Sequence, residues 1–181
     1  MQFKHRHRRR QLIGILALLT LSAWSNAQPL TPDSILGQWV LADGSARVQI
    51  YKTASEPGQE NYAVRIAALR DPTFTPADDE AHLLGKPRRD IHNPDAELRQ
   101  RLLVGLTIGS GFSFERESWR GGYLYHPGSG KRYRCHLQLI PGGYLRVRGY
   151  IGFSLLGRTM VWQRALDFQL RVDAMLARKA L

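Results

Sequence analysis

The chain has one cysteine, Cys135, in 181 residues, so no disulfide can form within it. It has no unbroken apolar run of the about 20 residues that a membrane-crossing helix needs; the stretch from Leu12 to Leu21 falls well short. No Gly-x-Ser-x-Gly elbow is present, and Ser118, Ser129 and Ser154 have no evident histidine and carboxylate companions. Gly128-Ser129-Gly130-Lys131 fails as a phosphate loop, which needs Gly at 125 and Ser or Thr at 132; the chain has Tyr125 and Arg132 there. A hairpin turn explains that stretch better. Gly109-Ser110-Gly111 lacks the remaining glycine of a dinucleotide fingerprint and a following helix. No catalytic residue and no cofactor is expected.

Acid is also missing from the N-terminal head, where Lys4, Arg6, Arg8, Arg9 and Arg10 are followed by the apolar stretch and then by Ser25-Asn26-Ala27. A basic, an apolar and a small-residue region in that order form a secretory signal peptide. Residues 1–27 are therefore read as a leader, with the mature chain starting near Gln28, outside the cytoplasm and without a transmembrane segment. Arg9-Arg10-Gln11-Leu12-Ile13 resembles a twin-arginine signal, although the strongly apolar stretch that follows fits general export. No cysteine stands at the cleavage site, so no lipid anchor is expected.

The formal charge of +11 includes five charges in the leader, which leaves +6 for residues 28–181. Nucleic-acid binders gather Lys and Arg on one stripe with readable motifs. Here the basic residues are scattered along alternating strands and read as a solvated outer face, so no nucleic-acid partner is expected. Cys135 shares a strand face with Tyr133, Leu137 and Leu139, opposite Arg134 and His136. That placement suits a small buried hydrophobe better than a reactive thiol.

After the leader, short alternating segments are separated by turn residues. Trp39 to Ala42 leads to Asp43-Gly44, a hairpin signal, and Ala46, Val48 and Ile50 alternate with Arg47, Gln49 and Tyr51. Tyr62 to Ala68, Leu102 to Ile108, Trp119 to Tyr125, Lys131 to Ile140, Tyr144 to Phe153 and Thr159 to Leu166 complete the set. About eight consecutive strands with short connections predict an all-β, antiparallel up-and-down barrel over residues 28–165, because closure removes exposed edges. Residues 166–181 have helical apolar spacing and predict an amphipathic tail packed on the barrel.

Asp71 to Arg101 breaks the rhythm, with four prolines and many charges. Connections of this length are usually functional or mobile. Asn93-Pro94-Asp95 predicts a helix start with Asn93 as N-cap, and Glu97 to Arg101 a short helix across the barrel mouth. Asp90, His92, Asn93 and Asp95 are the candidate loop residues. Asp90, His92 and Asp95, with Asp78, Asp79, Glu80 and His82 nearby, offer metal-type donors. Their spacing matches no known site, and no metal is expected.

An ordered set then points to a family. Gly37-Gln38-Trp39, Asn93-Pro94-Asp95, Trp119 with Gly121-Gly122, Tyr125-His126-Pro127, Leu145 to Gly152, Gly157-Arg158-Thr159 and Trp162-Gln163-Arg164 together resemble the bacterial exported family labelled domain of unknown function 2147. The resemblance runs from Ile35 to Arg164 and implies the periplasm of a Gram-negative bacterium, with no established activity. A looser resemblance is to the lipocalins and other calycins, whose barrels open with Gly-x-Trp and carry an Arg on the last strand. It implies that Gly37, Trp39 and Arg164 close one end of the barrel, the guanidinium stacked on the indole.

Arg146 and Arg148 alternate with Leu145 and Val147 and so lie on one strand face. The simpler reading places them on the outer wall. In the other reading they line the lumen and hold an anionic head group, with Trp119, Tyr123 and Tyr125 as the apolar wall. These five are the candidate ligand residues. The expected partner is a small apolar or amphipathic ligand; the alternative is an envelope protein docked on a filled barrel by the loop or the tail.

Overall fold

The computed structural model describes residues 29–53, 60–150, 157–166 and 169. The leader, and the tail apart from Leu166 and Gln169, lie outside the described residues. Among the described residues nine strands follow one another: β1 (Gly37–Val40), β2 (Ala46–Thr53), β3 (Asn61–Leu69), β4 (Thr107–Glu115), β5 (Ser118–Arg120), β6 (Tyr123–His126), β7 (Lys131–Ile140), β8 (Tyr144–Tyr150) and β9 (Gly157–Arg164). β5 and β6 both lie between β4 and β7 and act as one broken strand. With β5 and β6 taken as one, each strand pairs antiparallel with its sequence neighbour, and β9 returns to β1 through Trp39↔Arg164 and Val40↔Gln163. The result is a closed eight-stranded barrel with no free edge.

Closure follows from the alternation of the sequence. Trp39, Val48, Ile50, Tyr62, Val64, Phe112, Trp119, Leu124, Cys135, Leu137, Leu145, Val147 and Trp162 all point inward and form one core with Ile35. Burial of this apolar surface is the main stabilising term. Tyr62 and Phe114 pack on the Trp119 ring, with centroids 6.4 and 4.9 Å away.

Gly121-Gly122 breaks the fifth strand position of the barrel, between β5 and β6, for a packing reason. A Cβ on Gly122 would lie 2.4 Å from Cδ1 of Phe112, so only glycine lets that ring seat against the backbone. Gly121 takes φ +78° and inserts one residue of phase. Trp119 therefore points in, whereas beyond the break Leu124 points in and Tyr123 and Tyr125 point out. The expectation that Trp119, Tyr123 and Tyr125 share one face is corrected by this bulge.

The register also sorts the two ends of the barrel. Gly37, Thr53 with Asn61, Glu115 with Ser118, Ile140 with Tyr144, and Arg164 meet at one end. A 3-10 turn, Pro32–Ile35, covers it. The β1–β2 hairpin, the β6–β7 turn and the long 70–106 connection gather at the other end, where β8 ends and β9 starts. We call this second end the mouth.

Candidate functional site

The covered end is sealed by the two residues that the calycin resemblance singles out. The Arg164 guanidinium stacks on the Trp39 ring at 4.5 Å and donates to the carbonyls of Leu36 at 3.2 Å and Ser34 at 2.5 Å. Trp39 Nε1 donates to the Ile35 carbonyl at 2.9 Å and Trp119 Nε1 to that of Pro32 at 3.0 Å. Gly37 takes φ +118°, a backbone conformation that favours glycine, and its Cα lies beside the guanidinium. Beside this plug, Tyr62 donates to Asp33 and Glu60, and both carboxylates also hold Lys52 at 2.8 Å. Burial, then those bonds, raise the Tyr62 phenol pKa.

The indoles of Trp39 and Trp119, the phenol of Tyr62 and the phenyl ring of Phe112 thus fill the covered half of the lumen with the protein's own side chains. The mouth half is different. Direct antiparallel partners share a face, so Leu145↔Trp162, Val147↔Met160 and Gly149↔Arg158 set Arg158, Met160 and Trp162 on the inner face of β9. From the mouth inward this face presents a cation, a flexible thioether and an indole. Met160 is 36% exposed although its register partner Val147 is fully buried. Trp162 is 2% exposed, and its Nε1 has no hydrogen-bond partner among the described residues. On the adjoining strands the inner face carries Gly149 and Cys135, and burial pushes the Cys135 thiol up to about 11.

The long connection is fastened to the rim. Thr73↔Pro87, Phe74↔Leu84 and Arg89↔Leu102 bridges fold it on itself, and Arg88 clamps Asp78 with two 2.8 Å bonds. Asp90 is fully buried and takes up Tyr125 OH at 2.5 Å, Asn93 Nδ2 at 2.7 Å and Arg101 Nη2 at 2.9 Å. Gly130 lies directly beneath the loop, where a Cβ would meet the His92 carbonyl oxygen at 2.1 Å.

Asp90 and Asn93 are therefore the buried anchors of the loop, and Tyr125 is the barrel residue that receives it. The helical segment is a 3-10 turn, Ala96–Gln100, capped by Asp95 accepting from Glu97 N. Asn93 is not its N-cap; it bonds Asp90 and accepts from Asp95 N instead. His92 is exposed and contributes only its backbone here. Among the described residues no three of these carboxylates and imidazoles gather at metal-binding distance. Ser129 and His126 do meet, at 3.2 Å in an exposed turn, and no described carboxylate bonds the ring.

Arg146 and Arg148 stand on the outer wall, opposite the buried Leu145 and Val147. Arg146 donates to Gln138 and Arg148 to Thr159. They do not line the lumen, and Trp119 is core rather than cavity wall. Clefts of about 110 and 190 Å³ run along the β1–β9 seam and beneath the β1–β2 hairpin. Both are below the roughly 300 Å³ of an ordinary small-molecule pocket.

Residues 37–164 match a family described as an uncharacterized protein conserved in bacteria, DUF2147. The chain belongs to that family. A solved structure, protein HP1028 from the human pathogen Helicobacter pylori, described as belonging to the lipocalin family, superposes with a TM-score of 0.57. The two share 19% identity over 76% of this chain and 86% of the other, a likeness of fold. No curated protein sequence matches the chain. The inner-face trio Arg158, Met160 and Trp162 escaped the sequence reading. Its signal was available, because these residues have the same parity as Arg164, whose inward position the calycin resemblance implies.

Proposed function

We propose that this DUF2147 member is an exported, non-catalytic binding protein that holds a small amphipathic ligand in the mouth half of its barrel. The observation that carries this reading is the buried Trp162 Nε1, without a partner among the described residues, on the inner face beneath the exposed Met160. An unpaired buried donor costs about 1–3 kcal/mol, which an acceptor on a bound ligand offsets. Met160 supplies an adaptable apolar contact, and Arg158 at the rim suits an anionic or strongly polar head. The packed covered half limits the cargo to a short molecule. The leader read in residues 1–27 supports delivery to the periplasm.

A second reading is favoured by the filled core: a barrel without cargo that serves an envelope partner through the 70–106 loop. Native mass spectrometry of protein purified gently from periplasm, followed by organic extraction, separates the two. Under the first reading an extra mass accompanies the chain, disappears on extraction and is lost in Met160→Trp, which fills the mouth. A bare mass across several growth conditions overturns the ligand reading in favour of the second.

A further inference from the structure

The barrel also presents a surface independent of its lumen. Between Glu117 and Asp167 the chain has no acidic residue, yet it includes Arg120, Arg132, Arg134, Arg146 and Arg148. The register brings these five together on one outer wall, through Tyr123↔Arg134, Tyr125↔Arg132, His136↔Arg148 and Gln138↔Arg146. Strands lie about 4.8 Å apart and rise about 3.3 Å per residue, so the wall is roughly 15 by 20 Å. The expectation of scattered basic residues is corrected here: an antiparallel meander stacks positions that are distant in sequence.

His136 stands among these arginines, opposite Arg148 in the register, and its pKa is lowered first by burial and then by Arg120, Arg148 and Arg146. Like charges on neighbouring strand positions are destabilising, and among the described residues no acid pairs with Arg120, Arg132, Arg134 or Arg146. Such a surface calls for an external polyanion. Its shape argues against nucleic acid, which is tracked by a groove with free aromatic faces. Arg132 and Arg134 already lie against the exposed Tyr123 ring, with their guanidinium carbons 5.5 and 5.6 Å from its centroid. A broad array of guanidiniums bordered by Tyr123 and Tyr150 matches instead a plane of phosphates with an interfacial layer for the phenols.

We propose that the β6–β8 outer wall docks the protein on an anionic phospholipid bilayer surface. The mouth lies at one edge of this wall, so a docked barrel stays open at its rim. The test is sedimentation of residues 28–181, which contain every described residue, with vesicles of phosphatidylglycerol and phosphatidylcholine against phosphatidylcholine alone. Binding to the anionic vesicles is expected to fall steeply with added salt. It should weaken about fivefold for each of Arg132→Gln, Arg134→Gln and Arg146→Gln, while Arg47→Gln with Arg65→Gln, on exposed positions of β2 and β3, leaves it unchanged. Circular dichroism of the variants checks folding. No binding to anionic vesicles at low salt, equal loss in the β2–β3 variant, or tighter binding to duplex DNA than to vesicles overturns the proposal. None of these outcomes depends on whether the lumen holds cargo.

Discussion

The guanidinium of Arg164 lies 4.5 Å from the ring centroid of Trp39, and the two Cα atoms face one another across the β1–β9 pairing. One contact thus joins the last strand to the first, plugs the covered end and anchors the entering turn through two carbonyls. Arg164→Met keeps the apolar stem but removes the stacking and both hydrogen bonds. It should lower stability by about 2–4 kcal/mol, with Lys recovering less than half because it lacks the planar fork. Urea unfolding provides the measurement, and an unchanged midpoint would remove the closure role.

Tyr125 joins the barrel to the loop through Asp90. Burial first, and then that bond, push its phenol up to about 12. A phenol raised in the folded state stabilises fully below its unfolded value near 10 and loses that contribution as pH climbs toward 12. Tyr125→Phe should cost about 1 kcal/mol at neutral pH and abolish the alkaline loss. Protease nicking within 71–106, followed from pH 8 upward, reads both effects.

Asp78 behaves in the opposite sense. The Arg88 clamp, with bonds from Thr75, holds its carboxyl at about 2. A lowered carboxyl contributes above the unfolded value near 4 and loses the contribution as pH falls toward 2. Hydrogen exchange of residues 71–89 is expected to accelerate across that window while the barrel strands remain protected. Asp78→Asn should exchange rapidly at every pH. Uniform exchange in the wild type would count against a local clamp.

Cys135 is buried on the inner face, its thiol raised to about 11. Since the thiolate is the reactive form, alkylation at pH 8 should be slow in the folded chain and rapid in urea. Fast labelling of the native protein would place the sulfur at an accessible lumen wall instead.

The barrel was legible because burial repeats with period two, and β2, β3 and β7 display that period openly. The Trp39–Arg164 closure was legible through resemblance, and the physics of a cation over an indole supports it. What remained hidden was phase. Gly121-Gly122 shifts the face of Tyr123 and Tyr125 by one position, and no local pattern marks the shift without Phe112, which lies far back in sequence and comes to occupy the missing side chain's place. The buried role of Asp90 was hidden for the same reason: Tyr125 and Arg101 reach it only after the meander has closed. Arg146 and Arg148 carried their outward position in their alternation with the buried Leu145 and Val147.

The entry of β1 and the exit of β9 lie within a hydrogen bond of each other, Arg164 Nη1 to the Leu36 carbonyl. A ring closed in this way has no intrinsic first strand. A gene that fused those two ends through a short linker and opened the chain at the Arg116-Glu117 turn would encode every strand beside its present neighbours. The order in which the strands are synthesised is therefore one of several permutations that the same barrel accepts.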